Sequence, residues 1–453
     1  MATKKTQILI LPYPIQGHIN PMLQFAKRLA SKSRHLILTL LLPTSHARSI
    51  SSHIGSINVQ PISDGADQQG QQFQTAETYL QQFQRAVPGS LDDLIRLERG
   101  HDQPQPTILI YDSFFPWALD VAHSNGLAAA PFFTQTCSVS SVYFLFKEGR
   151  LSDEMELPHG IPRLEQRDLP SFIQDKENSA HLLELLVDQF SNLDEADYVF
   201  FNTFDKLENQ MVEWMARQWQ VLTVGPTIPS MYLDKCVKDD RSYGLNLFKP
   251  NRESCRDWLC ERRASSVIYV SFGSMAILKQ EQIEEIAKCL ENLQTRFIWV
   301  VRETEMAKLP SEFVEWNLSS GLGLVVTWCN QLDILAHETV GCFVTHCGWN
   351  SVLEALCLGV PMVGVPNWSD QPTNAKFVED VWKVGVRAKE DEDGIVKSMV
   401  LEKCVRAVLE GEKGEVVRRN AGKIKRWALE AVQLGGSSDN NIAKFVTGLA
   451  LKD

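Results

Sequence analysis

The stretch CFVTHCGWNSVLEALCLGVPMVGVP, residues 342–366, indicates how the chain folds more clearly than any other part of the sequence. An apolar run, CFVTH, is followed by a segment with Val352, Leu353 and Leu356 on one helical face, and then by a second apolar run, VPMVGVP. Strand, helix and strand in that order are typical of a parallel sheet. The stretch therefore predicts a βαβ unit in which His346 stands at the carboxyl end of the first strand.

The same alternation of short apolar runs and longer helical patterns extends outward from this unit. In the second half it includes SSVIYVSFGS (265–274), a helical pattern over 279–293, FIWVVR (297–302) and GLVVTW (323–328). In the first half it includes TQILILPYP (6–14), HLILTLLLP (35–43) and TILIYD (107–112). We therefore predict an α/β fold with two consecutive Rossmann-like parallel sheets.

Two segments lack this alternation. Residues 224–244 carry Pro, Gly and charge without periodicity, which is typical of a linker between domains. Residues 68–84 are rich in Gln, but Phe73, Tyr79 and Phe83 interrupt them, so we predict surface loop and helix there.

Composition and charge disfavour several classes of protein. Of 453 residues, 45 are Lys or Arg and 56 are Asp or Glu, and a net charge of −11 without a long basic run disfavours nucleic acid as a partner. The ten cysteines are scattered without a C-x-x-C pair, as in a reduced cytosolic protein. No apolar run has the length of a signal-peptide core or of a membrane helix, which takes about 20 residues. We therefore expect a cytoplasmic protein without stable membrane insertion.

The carboxyl ends of the predicted strands carry the chemistry of the second half. Ligands of open α/β sheets bind beyond these ends. Four strands end there in polar or aromatic residues, namely Ser271–Ser274, Trp328, His346, and Asp370 with Gln371. We therefore expect one binding site along this edge.

A helix that begins just after His346 is suited to a phosphate. Gly348, Asn350 and Ser351 open it, and its free N–H groups and positive dipole end favour an anion. We predict a diphosphate at this position. Trp328 could stack on a flat base, and Glu354, one turn into the helix, could accept from ribose hydroxyls.

Other chemistries fit the sequence less well. Cys342, His346 and Cys347 have the atoms for zinc, but adjacent His346 and Cys347 point to opposite faces of a strand. The chain has no Gly-Lys-Ser P-loop, no dinucleotide fingerprint and no G-x-S-x-G elbow at 273–276. The acidic run at 391–393 is typical of a solvated loop. We therefore predict a site without metal.

The first half offers a candidate acid–base pair. In PYPIQGHINP (12–21), Asn20 is a possible N-cap and Pro21 a first helical residue, which places His18 just before a helix N-terminus and favours a neutral imidazole. Asp112 ends the strand TILIYD at a carboxyl edge, so the two side chains can be neighbours. A carboxylate that holds one ring N–H leaves the other nitrogen as a base. The alternative is that His18 and Asp112 only cap helices or bond backbone groups.

The segment WCNQLDILAHETVGCFVTHCGWNSVLEALCLGVPMVGVPNWSDQ, residues 328–371, closely resembles the signature box of the plant family-1 UDP-glycosyltransferases. The resemblance extends over the chain through PYPIQGHINP, YDSFFPWALDVA, FFNTFDKLE, VGPTIPS, VIYVSFGS and GGSSDNNI. It is strongest to the branch with salicylate, thiohydroximate and indole-acetate glucosyltransferases and some steroid and triterpenoid ones. It implies the GT-B fold, with two facing Rossmann-like domains at 1–235 for the acceptor and 236–435 for the UDP-sugar, and a helix at 436–453 that returns to the first domain.

The resemblance also implies roles for matching positions. His18 matches the general base and Asp112 its orienting partner. The nucleoside contacts match Trp328 on uracil, the Cys329 backbone on the base edge, and Gln331 and Glu354 on the ribose. The other donor positions are the pyrophosphate contacts Ser274, His346, Asn350 and Ser351, with Gly348 at the helix start, and the sugar contacts Thr134, Trp349, Asp370 and Gln371.

The activity that the resemblance implies is an inverting, metal-independent transfer of glucose from UDP-glucose, which yields a β-glucoside. UDP-glucose is then a co-substrate, no cofactor is needed, and the chain is expected to be a monomer. Gln371 at the end of the box favours glucose, whereas a His there is associated with galactose.

Apolar residues in the first domain indicate the acceptor. Ile15 stands where many relatives carry a small or hydroxylated residue. The predicted acceptor pocket comprises Tyr13, Ile15, Phe114, Phe115, Trp117, Phe133, Phe144 and Trp368. It favours a bulky alcohol or phenol such as a steroid, triterpenoid or flavonoid, although about half of these aromatics can simply be core. Ester formation on small acids such as salicylate or indole acetate, and a non-catalytic binder of hydrophobic metabolites, stay open as alternatives.

Overall fold

The computed structural model describes residues 5–47, 52–65, 76–99, 104–151, 160–244 and 252–452. The chain packs into two compact units. Unit 1 comprises Met1–Gly160, His181–Leu245 and Glu430–Asp453, and unit 2 comprises Ile161–Ala180 and Asn246–Leu429. The predicted boundaries differ from this division in three places, because 236–245 and 430–435 pack with unit 1 and 161–180 packs with unit 2.

Unit 1 is built on a parallel sheet. Its strands within the described residues are β1 (Thr6–Leu11), β2 (Leu36–Pro43), β3 (His53–Ile54), β4 (Ile57–Ile62), β5 (Pro106–Asp112), β6 (Ala128–Phe133), β7 (Val199–Phe201) and β8 (Val221–Thr223). Their order is β3-β4-β2-β1-β5-β6-β7-β8, and only β3, which pairs with β4, is antiparallel to its neighbour.

Unit 2 has a second, wholly parallel sheet. Its strands within the described residues are β9 (Val267–Ser271), β10 (Arg296–Val300), β11 (Gly323–Val326), β12 (Val340–Thr345), β13 (Met362–Gly364) and β14 (Gly385–Arg387). Their order is β11-β10-β9-β12-β13-β14. The prediction of an α/β chain with two parallel sheets is confirmed.

Helices connect the strands of both sheets. Their bounds are α1 (Gln16–Lys32), α2 (Thr44–Ala47), α3 (Ala76–Arg99), α4 (Trp117–Ser124), α5 (Cys137–Lys147), α6 (Ser171–Gln174), α7 (Ala180–Asp188), α8 (Asp205–Ala216), α9 (Arg252–Cys260), α10 (Gln280–Leu293), α11 (Ser311–Ser320), α12 (Gln331–Leu335), α13 (Trp349–Leu358), α14 (Gln371–Lys376), α15 (Ser398–Leu409), α16 (Gly411–Val432) and α17 (Ser437–Lys452). The helix predicted over 279–293 is confirmed as α10. Of the Gln-rich stretch, residues 68–75 lie outside the described residues and the rest belongs to α3.

The central strand β1 shows why residues 8–11 of its sequence are all apolar. All six of its residues are buried. Ile8 and Ile10 belong to the core on one face of the sheet, and Leu9 and Leu11 to the core on the other. Because both faces are covered, the strand has no polar side.

The first helix begins earlier than predicted. It starts at Gln16, so His18 lies in its first turn, and Asn20 and Pro21 lie inside it. Ile15 is extended, with φ −127° and ψ 153°, and its carbonyl accepts from the backbone N–H groups of His18 and Ile19. Asn20 is therefore not the N-cap, and Pro21 lacks one N–H within the helix.

The segment predicted as a linker, 224–244, packs on α1 within unit 1. Lys27 Nζ pairs with Asp240 Oδ1 at 2.8 Å, and Arg28 Nη2 pairs with Asp234 Oδ1 at 3.0 Å. All four side chains are largely buried. Two of its acidic residues, Asp234 and Asp240, therefore anchor it to the helix.

The last helix, α17, also packs within unit 1. The Phe445 ring lies 4.9 Å from that of Phe200, and Asn441 Nδ2 donates to the Thr223 carbonyl at 3.0 Å. Within the part of the chain that the structure describes, no helix is both long and apolar enough to span a bilayer.

Candidate active site

Neighbouring strands of unit 1 bring His18 and Asp112 together. Asp112 is the last residue of β5, and His18 follows β1, its neighbour in the sheet. His18 Nδ1 lies 2.7 Å from Asp112 Oδ2 across 94 residues of sequence. Asp112 is fully buried, and 12% of the His18 side chain is exposed. The structure thus joins the two residues that the sequence predicted as neighbours.

Backbone groups hold the Asp112 carboxylate in place. The N–H of Tyr13 donates to Oδ2 at 3.3 Å, and the N–H of Phe114 donates to Oδ1 at 3.1 Å. An ionised carboxylate only accepts hydrogen bonds, so His18 Nδ1 must carry the proton that it shares with Oδ2. The lone pair of the neutral ring is then on Nε2, as a general base requires.

Thr134 also lies beside the pair. It follows β6, the next strand in the sheet, and its Oγ1 is 3.2 Å from His18 Nδ1. Its hydroxyl thus adjoins the ring nitrogen that faces Asp112, and the sugar contact that the resemblance implies for Thr134 stays a prediction.

Aromatic rings surround the imidazole. The ring centroids of Tyr13 and Phe114 are 5.2 and 4.8 Å from that of His18. Burial, and to a smaller extent the charge of Asp112, raises the pKa of Tyr13 to about 12, so its phenol stays neutral near pH 7. Ile15, partly exposed, precedes His18 by one turn. The surroundings of the base are therefore apolar apart from its two oxygen partners.

Two of the predicted pocket residues lie in the core. Phe115 and Phe133 have no exposed surface. Phe115 stacks on Phe83 at 5.1 Å, and Phe133 stacks on Phe201 at 4.5 Å. The prediction that they line a pocket is not met, because a ligand cannot touch a side chain without surface. Both are better described as packing behind the site.

Of the three others, Trp117 packs on the same core cluster as Tyr13 and Phe114, and Phe144 and Trp368 lie elsewhere. Trp117 packs on Phe115, with ring centroids 5.3 Å apart. Phe144 packs edge-on against Trp219 at 4.9 Å. Trp368 belongs to unit 2, where its ring meets Phe172 at 5.7 Å. The predicted residues that adjoin His18 are therefore Tyr13, Ile15 and Phe114.

In unit 2, two glycines make room for His346 at the end of β12. A Cβ atom on Gly273, whose φ is +76°, would lie 2.9 Å from the His346 ring, and one on Gly348 would lie 2.6 Å from its Nε2. Burial lowers the pKa of His346 to about 4, so the ring is neutral near pH 7. Its buried Nδ1 has no hydrogen-bond partner among the described residues.

The helix α13 begins directly after this turn. Gly348 is its N-cap, and no side chain caps the helix. Trp349 is 3% exposed and its ring centroid lies 6.0 Å from that of Trp382, so the ring is packed in the core. This helix N-terminus therefore has a glycine N-cap without a side chain, and its backbone N–H groups and dipole are suited to an anion.

A buried polar network lies behind the helix. Gln331 Nε2 donates to Ser351 Oγ at 2.9 Å and to Glu354 Oε2 at 2.8 Å. The Tyr269 hydroxyl donates to Gln331 Oε1 at 3.2 Å and lies 3.4 Å from Cys329 Sγ. The residues predicted to contact ribose are thus hydrogen-bonded to one another.

Two of the predicted sugar contacts, Asp370 and Gln371, lie after β13 at the start of α14. Gln371 Oε1 accepts from the N–H groups of Asn367 and Trp368 at 2.9 and 3.1 Å, which leaves its amide NH₂ to donate. Asp370 Oδ2 accepts from Asn374 Nδ2 at 2.7 Å. Both side chains are buried and their orientations are fixed by these bonds.

The remaining donor positions line the strand ends. The Ser274 carbonyl accepts from Arg302 Nη1 at 3.1 Å, which ties the loop after β9 to unit 2. Trp328 and Asn350 are partly exposed. Cys347 has a left-handed φ of 63°, and its carbonyl accepts from Asn374 Nδ2 at 3.0 Å. Burial raises the pKa of its thiol to about 12. Within the described ranges, no group of three or more His, Cys, Asp or Glu could hold a metal ion.

Two residues of this site were not singled out from the sequence. In the sequence pattern, Tyr269 is one position of an apolar strand, and Gly273 is part of the turn that follows it. The glycine after an apolar strand was the available signal, but its partner His346 is 73 positions away (346 − 273). Only the pairing of β9 with β12 shows the contact.

One Rossmann-like unit has an acid–base pair, and the other has a helix N-terminus without a side-chain cap that is suited to a phosphate. Such a pair of units is typical of enzymes that transfer a group from a nucleotide-activated donor. Comparisons with known proteins agree. A family model described as UDP-glucoronosyl and UDP-glucosyl transferase matches residues 240–422. The chain is 48% identical to UDP glycosyltransferase 9 of Catharanthus roseus over 98% of this chain and 96% of that protein.

Two further relatives extend the comparison. Flavonol 7-O-beta-glucosyltransferase UGT74F1 of Arabidopsis thaliana is 44% identical over the full length of both chains. The crystal structure of Os79 from O. sativa in complex with UDP is 36% identical, covers 98% of this chain and 100% of that chain, and has a TM-score of 0.90. The chain therefore belongs to the plant family-1 UDP-glycosyltransferases. It has their GT-B fold, and a UDP-sugar is its co-substrate.

Proposed function

We propose that the chain transfers glucose from UDP-glucose, with inversion, to a hydroxyl group of a hydrophobic small molecule and so forms a β-glucoside. In this proposal unit 1 binds the acceptor and unit 2 binds the UDP-sugar. The contact of 2.7 Å between His18 Nδ1 and Asp112 Oδ2 carries it, since that contact makes Nε2 the base.

Each group of the pair has a defined task. His18 Nε2 takes the proton from the acceptor hydroxyl while the oxygen attacks the anomeric carbon from the face opposite UDP. The bond between that carbon and the diphosphate oxygen breaks, and its electron pair leaves with UDP. Asp112 stabilises the imidazolium, and its backbone N–H bonds keep it from rotating away.

The donor side stabilises the charge that develops on the diphosphate. Neutral His346, the α13 N-terminus, Ser274, Asn350 and Ser351 supply donors and a dipole at that point. Glu354 and Gln331 hold the ribose, and Trp328 stacks on uracil. Asp370 and the free NH₂ of Gln371 bind sugar hydroxyls.

The surroundings of His18 favour an alcohol or phenol over a carboxylic acid. Among the described residues, the side chains that bond to His18 or stack on its ring are Asp112, Thr134, Tyr13 and Phe114, and none is cationic. A carboxylic acid has already lost its proton at pH 7, so it has no need of the base. A relative that acts on a flavonol supports a flavonoid or a similar phenol as the first acceptor class to test.

The test measures UDP release and product mass with UDP-glucose and a panel of flavonoids, steroids, triterpenols and benzoic acids. We expect hexose addition to hydroxyl acceptors by the wild type and its loss in His18→Ala. Activity confined to benzoic acids would contradict the proposed acceptor class. Acceptor binding without any UDP release would favour a non-catalytic binder.

A further inference from the structure

We propose that Ser171, which is far in sequence from the donor site, is a positioning residue for recognition of the sugar. The proposal rests on the assignment of Asp370 and Gln371 to the sugar under the proposed function. It concerns the loop 365–370, between β13 and α14, which we call the sugar loop.

Ser171 holds the backbone of the sugar loop from both sides. The Ser171 N–H donates to the Ser369 carbonyl at 2.8 Å, and the Ser369 N–H donates to Ser171 Oγ at 2.7 Å. These bonds span 198 residues of sequence. They therefore form only once the segment 161–180 has packed into unit 2.

The held residue has an unfavourable backbone conformation. Ser369 has φ +59°, in the left-handed region that residues with a Cβ rarely adopt. Asp370 and Gln371 follow directly, so the direction in which their side chains leave the backbone depends on this turn. Two hydrogen bonds to Ser171 offset the strain at Ser369 and fix that direction.

The segment that carries Ser171 is itself firmly anchored. Asp168 is 3% exposed, and its carboxylate pairs with Arg387 Nη1 at 2.8 Å and with Lys376 Nζ at 3.3 Å. Its carbonyl accepts from Thr373 Oγ1 at 2.7 Å. Lys376 and Thr373 lie on α14, the helix that begins with Gln371. Asp168 is therefore bonded to the same helix, α14, that begins with the proposed sugar contact Gln371.

An aromatic contact adds to the two hydrogen bonds of Ser171. We call Ser171 and Phe172, with their contacts to the sugar loop, the clamp. The Phe172 ring meets Trp368 edge-on at 5.7 Å, and Phe172 is 7% exposed. Residues 368 and 369 of the sugar loop thus both pack on the pair 171–172. The nucleoside network is instead held by the bonds from Tyr269 to Gln331 and from Gln331 to Glu354. The clamp should consequently affect the sugar and leave UDP binding unchanged.

The experiment compares the affinities of UDP and UDP-glucose by calorimetry in the wild type and in Ser171→Ala. Alanine keeps the backbone bond but removes the hydroxyl that accepts from Ser369. We expect the affinity for UDP-glucose to fall roughly fivefold to tenfold, as for the loss of one buried hydrogen bond, with that for UDP unchanged. The preference for UDP-glucose over UDP-galactose should fall with it.

Three further variants separate positioning from folding. Ser171→Thr retains the hydroxyl and should keep the wild-type ratio of affinities. Asn178→Ala should leave both affinities unchanged, because the Asn178 side chain lies on the same segment and, among the described residues, bonds to Asp175 in its own turn. In a Ser369→Gly background, where the left-handed turn is not strained, the effect of Ser171→Ala should shrink.

An unchanged ratio of UDP-glucose to UDP affinity in Ser171→Ala would overturn the inference, as would equal losses for both ligands. Because binding is measured without an acceptor, the result does not depend on turnover. A wild type that binds UDP-glucose but transfers no sugar would contradict the proposed function and leave this test intact.

Discussion

In each sheet the residues of the candidate site follow the carboxyl ends of the strands, but the two sites differ in the charges that they contain. In unit 1 a fully buried carboxylate, Asp112, faces a histidine across 2.7 Å and is held by two backbone N–H groups. In unit 2 the histidine at the strand end, His346, has no carboxylate partner among the residues that the structure describes, and burial lowers its pKa to about 4. One site is built to take up a proton and the other to remain neutral beside an anion.

The difference shows that a histidine's role follows from its partner rather than from its position. Both His18 and His346 follow an apolar parallel strand and lie at or near the start of a helix. A carboxylate stabilises an imidazolium, whereas the desolvated ring of His346 favours the uncharged form. The following variants separate the two roles.

The largest effect is expected from removal of the base. His18→Ala should lower kcat roughly 10²- to 10⁴-fold, since general-base catalysis supplies an effect of that size. The affinity for UDP should remain within about twofold, because His18 belongs to unit 1. Steady-state kinetics and calorimetry check this pair of results. A loss of UDP affinity comparable to the loss of kcat would mean that the division of roles between the units is wrong.

A pH effect on stability is expected from His346. Its lowered pKa means that the unfolded chain takes up this proton below pH 6.5, while the folded chain does so only near pH 4. Its contribution to stability is therefore complete above pH 6.5 and is lost as the pH falls toward 4, about 2 kcal/mol between pH 7 and 5. Urea denaturation at both pH values should show a smaller acid loss in His346→Asn. Equal losses in the two proteins would contradict a neutral His346 in the folded chain.

A smaller effect is expected from the glycine that faces His346. Gly273→Ala places a Cβ 2.9 Å from the ring and should weaken UDP binding about tenfold by displacing it. Gly321→Ala is the matched control, because Gly321 has a similar φ of +63° with open space around it. Calorimetry on both variants separates backbone strain from the collision. Equal UDP affinities in the two variants would exclude the collision as the cause.

The smallest effect is expected from the network behind α13. Tyr269→Phe leaves Gln331 Oε1 without its donor and should weaken UDP binding a few-fold, as a lost neutral hydrogen bond does. Tyr111→Phe is the counterpart in unit 1, since Tyr111 is an equally buried strand tyrosine. Its UDP affinity should match the wild type. A similar loss in both variants would indicate a general packing effect.

Much of the fold was predictable because its signals are local. The apolar runs that become β1, β2, β5 and β9 to β13 were all recognised, since buried parallel strands are apolar throughout. Strand β6 was missed because Ala128–Phe133, with three alanines and a proline, has low strand propensity. Strands β7 and β8 have three residues each and, unlike the equally short β13 within VPMVGVP, do not lie in an apolar run of that length.

The candidate site was predictable to a different degree in each unit. In unit 2 most of the residues lie within one segment, 328–371, whose pattern was visible as a whole. In unit 1 Phe115 and Phe133 were expected at a pocket, yet both are in the core. An aromatic residue near a strand end can face either way, and its sequence neighbours do not show which.

The sequence by itself determined the class of fold, the strand edges that carry polar residues and the family, because apolar periodicity and a 44-residue motif (371 − 328 + 1) are local properties. Only the tertiary structure decided that His18 lies within its helix, that 224–244 packs on α1 and that 161–180 joins unit 2 to hold Ser369. These arrangements depend on burial shared among residues up to about 200 positions apart, and no short window of sequence contains that information.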